Sequence, residues 1–107
     1  MEHNAATNAL AALGQATRLS VYRLLVQAGP RGRIAGDIAG ELSLPGATLS
    51  FHLKELASAG LVTSEQQGRT ICYRANFQAM SALLAYLTEN CCAGDATCLP
   101  VECTLGR

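Results

Sequence analysis

The sequence lacks the features that most often settle a function by composition. Eight Lys and Arg balance eight Asp and Glu over 107 residues, so the formal net charge is zero. Whole-chain electrostatics therefore give no sign of a nucleic-acid partner. The longest uninterrupted apolar run, 82–87, has six residues, far short of the ~20 that span a bilayer. No membrane partner is expected. The opening MEHNAATNAL has no basic segment followed by an apolar one, so no secretory leader is expected and the reading is cytoplasmic. Most of the chain is also poor in cysteine, with enough Leu, Ile and Val to build a core without disulfides. Internal repeats and low-complexity tracts are absent. The length suits one small domain and is too short for two independent cores.

What is present is unevenly placed. Residues 15–75 hold Arg18, Arg23, Arg31, Arg33, Lys54, Arg69 and Arg74 against Asp37, Glu41, Glu55 and Glu65, a local excess of three positive charges. Residues 89–107 reverse this, with Glu89, Asp95 and Glu102 against Arg107. Four of the five cysteines, Cys91, Cys92, Cys98 and Cys103, fall in the last seventeen residues. The chain divides into a folded body, 1–90, and a thiol-rich tail, 91–107.

Hydrophobic spacing predicts a short helix over 5–13, apolar at Ala6, Leu10 and Leu13. A second helix over 15–28 carries Leu19, Tyr22, Leu25 and Val26 as its core stripe and stops at Gly29-Pro30. Arg31-Gly32-Arg33 reads as a loop. A third helix over 35–42 carries Ile38 and Leu42 on one face, a turn covers 43–46, and a fourth helix ends near Ala59 with Gly60 as cap. Its buried stripe is Leu49, Leu53 and Leu56. The period then changes to two. Residues 61–65 and 70–74 flank Gln66-Gln67-Gly68-Arg69 as a hairpin turning at Gly68. A last helix over 77–89 presents Phe77, Met80, Leu83, Leu84 and Leu87 on one side.

Two short helices, a tight turn between them and a hairpin directly after form a winged helix-turn-helix pattern, mainly α with a β-hairpin wing and about five helices. The second helix of such a motif enters the major groove by its N-terminal residues. These are Gly46, Ala47, Thr48, Ser50 and Phe51, with His52 and Lys54 further along. Helical offsets set Thr48, Phe51 and His52 off the leucine stripe. Small polar side chains there suit close approach to bases and phosphates. Arg69 at the hairpin tip is placed for a phosphate or minor-groove contact, and neutralising a few phosphates needs only a locally basic face. The alternative is a tri-helical core with no nucleic acid, in which the hairpin and Arg69 have no role. His52 reads equally well as a half-buried core histidine.

Three strings carry a family resemblance. Leu13-Gly14-Gln15-Ala16-Thr17-Arg18-Leu19 resembles the entry to helix two of the ArsR/SmtB metal-responsive repressors. Leu49-Ser50-Phe51-His52-Leu53-Lys54-Glu55-Leu56 followed by Ala59-Gly60-Leu61-Val62 resembles their recognition helix, and Gly68-Arg69 with Tyr73-Arg74 their wing. The resemblance spans about residues 6–90. It implies a homodimer, joined through its terminal helices, that leaves operator double-stranded DNA when a metal or metalloid binds. The chain departs from the pattern in one respect. The stretch Ile34-Ala35-Gly36-Asp37-Ile38-Ala39, which aligns with the Cys-Val-Cys ligand motif of the best-known arsenic repressors, has no cysteine. Tyr86-Leu87-Thr88-Glu89-Asn90-Cys91-Cys92 followed by Cys98 instead resembles a subgroup with a vicinal pair at the end of the dimer helix.

Thiolates are soft ligands that select soft ions. Trivalent arsenic and antimony take three sulfurs in a pyramid. Cys91 and Cys92 offer two from a helix end that is expected to unwind, and 93–97 let Cys98 close as the third. Arsenic(III) is the expected inducer, with antimony(III) and methylated arsenic(III) also admitted, and no catalytic cofactor is expected. Cys103 is a spare or fourth ligand, and with it a four-thiolate zinc, cadmium or lead site is the alternative, although zinc sites favour Cys-x-x-Cys spacing. A reversible disulfide between Cys91 or Cys92 and Cys98 is a further alternative. Cys72, alternating with Ile71 and Tyr73, reads as a buried strand residue. An arsenate-reducing enzyme is not expected. Neither a Cys-x-x-Cys pair nor an arginine six places after a cysteine occurs, those positions being Gln78, Thr97, Cys98 and Thr104.

Overall fold

The computed structural model of the chain describes residues 1–91. Five helices, α1 (His3–Leu13), α2 (Ala16–Ala28), α3 (Ala35–Leu42), α4 (Gly46–Ser58) and α5 (Phe77–Thr88), surround a small antiparallel sheet. The sheet consists of β1 (Arg33–Ile34), β2 (Val62–Gln67) and β3 (Thr70–Ala75) in the order β1-β3-β2. The largest fully buried side chains are Leu25, Ile38, Leu49, Leu53, Leu56, Leu61 and Val21. They come from α2, α3, α4 and the segment entering the wing, so one apolar cluster fixes the helix-turn-helix and the root of the wing together.

Both ends of α2 follow from local chemistry. Gln15 caps its start, the side-chain oxygen accepting from the Arg18 amide at 2.9 Å. Gly29 closes its end at φ +71, where Pro30 denies a further turn. The core stripe of α2 is Val21, Tyr22 and Leu25, while Leu19 and Val26 are exposed, contrary to the expected set. Leu19 and Val26 lie seven apart and form their own row beside the buried one, and spacing alone does not distinguish the two rows. The same correction applies to α1. Its inward face is Ala6, Ala9 and Ala12, and Leu10 points outward. Alanine facing the core lets α1 lie close against α2 and α4, where a leucine row would hold it away.

The turn between α3 and α4 is a left-handed cap. Ser43 sits at φ 55, its amide donating to Gly40 O at 3.4 Å and the Leu44 amide to Ala39 O at 3.0 Å. The wing turns on two residues. Gln67 pairs with Thr70, and Gly68 holds φ +63 at the first central position, as a type II′ turn requires.

One expected loop is a strand. After a 3₁₀ turn at Gly29–Arg31, Arg33 and Ile34 pair with Tyr73 and Cys72. Two residues are too few for alternation to be read in the sequence. Gly32 makes the pairing feasible: it is buried at φ +72, and a Cβ there would meet Tyr73 O at 2.5 Å and the Arg74 Cγ at 2.7 Å. Cys72 is buried, as expected of a strand cysteine, its thiol donating to Arg31 O at 3.6 Å. Arg74 donates from Nε to Pro30 O at 2.9 Å and pairs with Glu65 at 2.8 Å. Gly32→Ala should therefore cost about 2–4 kcal/mol in urea unfolding, with the loss centred on the wing in amide exchange.

Tyr22 is buried with a hydroxyl that has no partner among the described residues, and burial raises its pKa above the usual 10.0. Neutral tyrosine is favoured in the folded state, so its contribution is intact below the ordinary value and is lost as pH rises through the raised one. Tyr22→Phe should match or exceed wild-type stability at neutral pH and lose less stability in alkaline melts.

Candidate nucleic-acid interface and cysteine site

Successive side chains on α4 are displaced by about 100°, and the leucine stripe fixes which arc faces inward. Leu49, Leu53 and Leu56 are buried, which leaves Gly46, Ala47, Thr48, Ser50, Phe51 and Lys54 exposed. Ala47, Phe51 and Lys54 lie nearest the middle of the free face, with Ser50 to one side of them. The helix starts after Pro45 with no side-chain cap, so its first amides have no side-chain acceptor. Gly46 and Ala47 have little side chain to hold a phosphate or base away from them.

His52 departs from its expected place. It is 8% exposed and lies on the buried side of α4 with Leu49, Leu53 and Leu56. Four positions after Thr48 it falls one helical step beyond the edge of the free face, and the offset alone left it on the border. Its Nδ1 lies 3.5 Å from Nη1 of Arg18. The same guanidinium donates from Nε to Ala12 O at 2.8 Å, at the end of α1. Arg18 thus joins α1, α2 and α4. Sequence reasoning gave it no role, and the available signal was its place three residues after a capping Gln15 (α2's first turn faces back toward the preceding helix end).

Positive charge on this side is reduced by two ion pairs. Arg33 meets Glu41 at 2.9 Å and Arg74 meets Glu65 at 2.8 Å, tying β1 to α3 and β3 to β2. As half-exposed pairs they add little stability. Arg31, Lys54 and Arg69 are exposed and form no ion pair among the described residues. Arg69 stands at the tip of the wing, in a turn closed by Gln66 Nε2 to Gly68 O at 2.7 Å and Thr70 Oγ1 to Gln67 O at 3.0 Å.

At the other end of the chain, α5 stops at Thr88 and Asn90 takes φ 57, so Cys91 lies three residues beyond the last residue of the helix. Cys91 is a half-buried free thiol. Cys92, Cys98 and Cys103 lie outside the described residues, and among those described no three His, Cys, Asp or Glu side chains form a metal-sized group. The sequence placed no histidine near the cysteines. The fold brings His3 of α1 to Tyr86 in the last turn of α5, Nδ1 to hydroxyl 2.8 Å. Leu10, Phe77, Leu84 and Leu87 are exposed on these two terminal helices. No described helix is long and apolar enough to cross a membrane.

A helix-turn-helix domain family model matches residues 13–65. Among solved structures, an ArsR-like transcriptional regulator from Rhodococcus sp. RHA1 superposes with a TM-score of 0.75 at 25% identity, covering 94% of this chain and 92% of its own. A possible transcriptional regulator for arsenical resistance does so with a TM-score of 0.66 at 29% identity, over 75% of this chain and 80% of its own. A homodimeric winged helix-turn-helix DNA-binding domain from Mycobacterium bovis gives 0.65 at 28% identity, over 81% of each chain. No curated protein matches the sequence.

If Arg18 ties the helices together as its contacts indicate, Arg18→Met should lower stability by about 1–2 kcal/mol. Gln15→Ala, which removes the cap alone, should cost about 0.5–1 kcal/mol. Urea unfolding of the two variants checks the order.

Proposed function

We propose that the chain is a winged helix-turn-helix regulator of the ArsR/SmtB kind, a DNA-binding protein and not an enzyme, that represses a metalloid-resistance operon and leaves its operator when trivalent arsenic binds the tail. The observation that carries the DNA half is the exposed face of α4 together with Arg69 at the wing tip. Ser50 and Thr48 donate to and accept from base edges or phosphates, Lys54 and Arg69 neutralise phosphates, and the uncapped start of α4 at Gly46 and Ala47 approaches the backbone. His52, being buried, supports α4 from behind rather than touching DNA.

The working unit is a homodimer. Leu10 on α1 and Phe77, Leu84 and Leu87 on α5 are apolar and exposed in the single chain, and a relative of this fold is homodimeric. Burying these faces against a second copy sets two recognition helices about one DNA turn apart, ~34 Å.

The metalloid half rests on donor chemistry and on likeness to a protein described as a possible transcriptional regulator for arsenical resistance. Cys91, Cys92 and Cys98 supply three thiolates, with Cys103 as a spare or fourth. Trivalent arsenic, or antimony or methylated arsenic, would draw these sulfurs together. Cys91 follows α5 by three residues, and α5 is tied to α1 through Tyr86 and His3. From α1, Arg18 leads to α4. A coupling of about 1–3 kcal/mol along this route weakens DNA binding roughly 5–150-fold.

Cys91→Ser and Cys92→Ser should each keep wild-type DNA affinity and lose release by arsenite. Normal release by either variant contradicts the ligand assignment. Release by zinc, cadmium, lead or an oxidant in place of arsenite would transfer the same thiols to the alternative signals. Arg69→Ala should weaken binding about equally on all sequences and reduce the slope of log affinity against log salt by about one.

A further inference from the structure

Phe51 is chemically out of place on a face built for phosphates and polar base edges. Its ring is 55% exposed, beside Ala47, Ser50 and Lys54. It is also held in place. The ring meets that of His52 edge to face, centroids 5.5 Å apart at 63°. His52 is buried and lies 3.5 Å from the Arg18 guanidinium, which is anchored on Ala12 O at 2.8 Å. An apolar ring pre-oriented on the groove-facing side of a recognition helix needs an apolar target. On base edges in the major groove that target is the 5-methyl group of thymine.

We propose that Phe51 reads the 5-methyl group of one thymine in each half-site of the operator. The inference rests on the DNA-binding face assigned above and gives it a base preference. It assigns the face two kinds of contact: Ser50, Thr48 and Lys54 make polar ones, and Phe51 discriminates thymine from the other pyrimidine by the methyl group. Burial of one methyl corresponds to about a fourfold gain in affinity.

The test uses the full-length reduced protein and the duplex it selects from a random-sequence pool. That duplex is resynthesised with each thymine replaced singly by uracil, which deletes the methyl and leaves the pairing edge intact. One thymine per half-site should cost wild type about fourfold in affinity when replaced. The same replacement should cost Phe51→Ala nothing, and the variant should melt like wild type because the ring is exposed. If every uracil is neutral for wild type, or costs both proteins equally, the assignment of Phe51 is overturned while the DNA reading stands. If no duplex is enriched at all, the DNA reading falls and this inference with it.

Discussion

One guanidinium links the recognition helix to the end of the first terminal helix. Arg18 donates to the carbonyl of Ala12 at the end of α1 and reaches His52 inside α4. An eleven-residue α1 is too short to be stable alone, and its buried face is three alanines, which bring helices close but bury little area each. A charged donor satisfying a carbonyl at the helix end, where cations are favoured, fixes the axial position of α1 in a way that small side chains do not. Beyond it in the same network lie buried His52 and the Phe51 ring against it, and at the far end of α1 His3 meets Tyr86.

This arrangement gives the terminal helices two roles. Their inner faces close the core through Ala6, Ala9, Ala12 and Leu83, and their outer faces carry Leu10, Leu84 and Leu87 into solvent. In the proposed dimer the outer faces meet a second copy, so any movement of the end of α5 is a movement at the joint between two DNA-reading units. Interfaces of packed side chains shift between discrete arrangements rather than deforming smoothly, and the proposed coupling from Cys91 to α4 relies on that property.

Much of this was legible in the sequence where local chemistry decides. The bounds of α3, the stop at Gly29-Pro30 and the hairpin turn at Gly68 are as the residues predict, because glycine, proline and period each act within a few positions. The errors occur where tertiary packing chooses between equivalent local readings. Leu10 and Ala9 compete for the inward face of α1, Leu19 and Val21 for that of α2, and close helix approach decides for the smaller or better-placed side chain. β1 was hidden because a two-residue strand exists only by pairing with Tyr73 and Cys72. His52 sat on the border of a face, and packing sets it inside, beside an Arg18 thirty-four residues away in sequence. Of the candidate sites, the exposed face of α4 was readable from its leucines, whereas His3 meeting α5 joins residues 83 apart and leaves no local trace.

The measurement that bears most directly on the account is fluorescence anisotropy of the reduced wild-type protein on its upstream promoter DNA, titrated with trivalent arsenic. The account predicts tight binding that is lost at near-stoichiometric metalloid, with DNA weakening metalloid binding by the same factor. Tight binding that arsenic leaves unchanged would contradict the assignment of the tail, and a protein that does not bind the DNA would contradict the account as a whole.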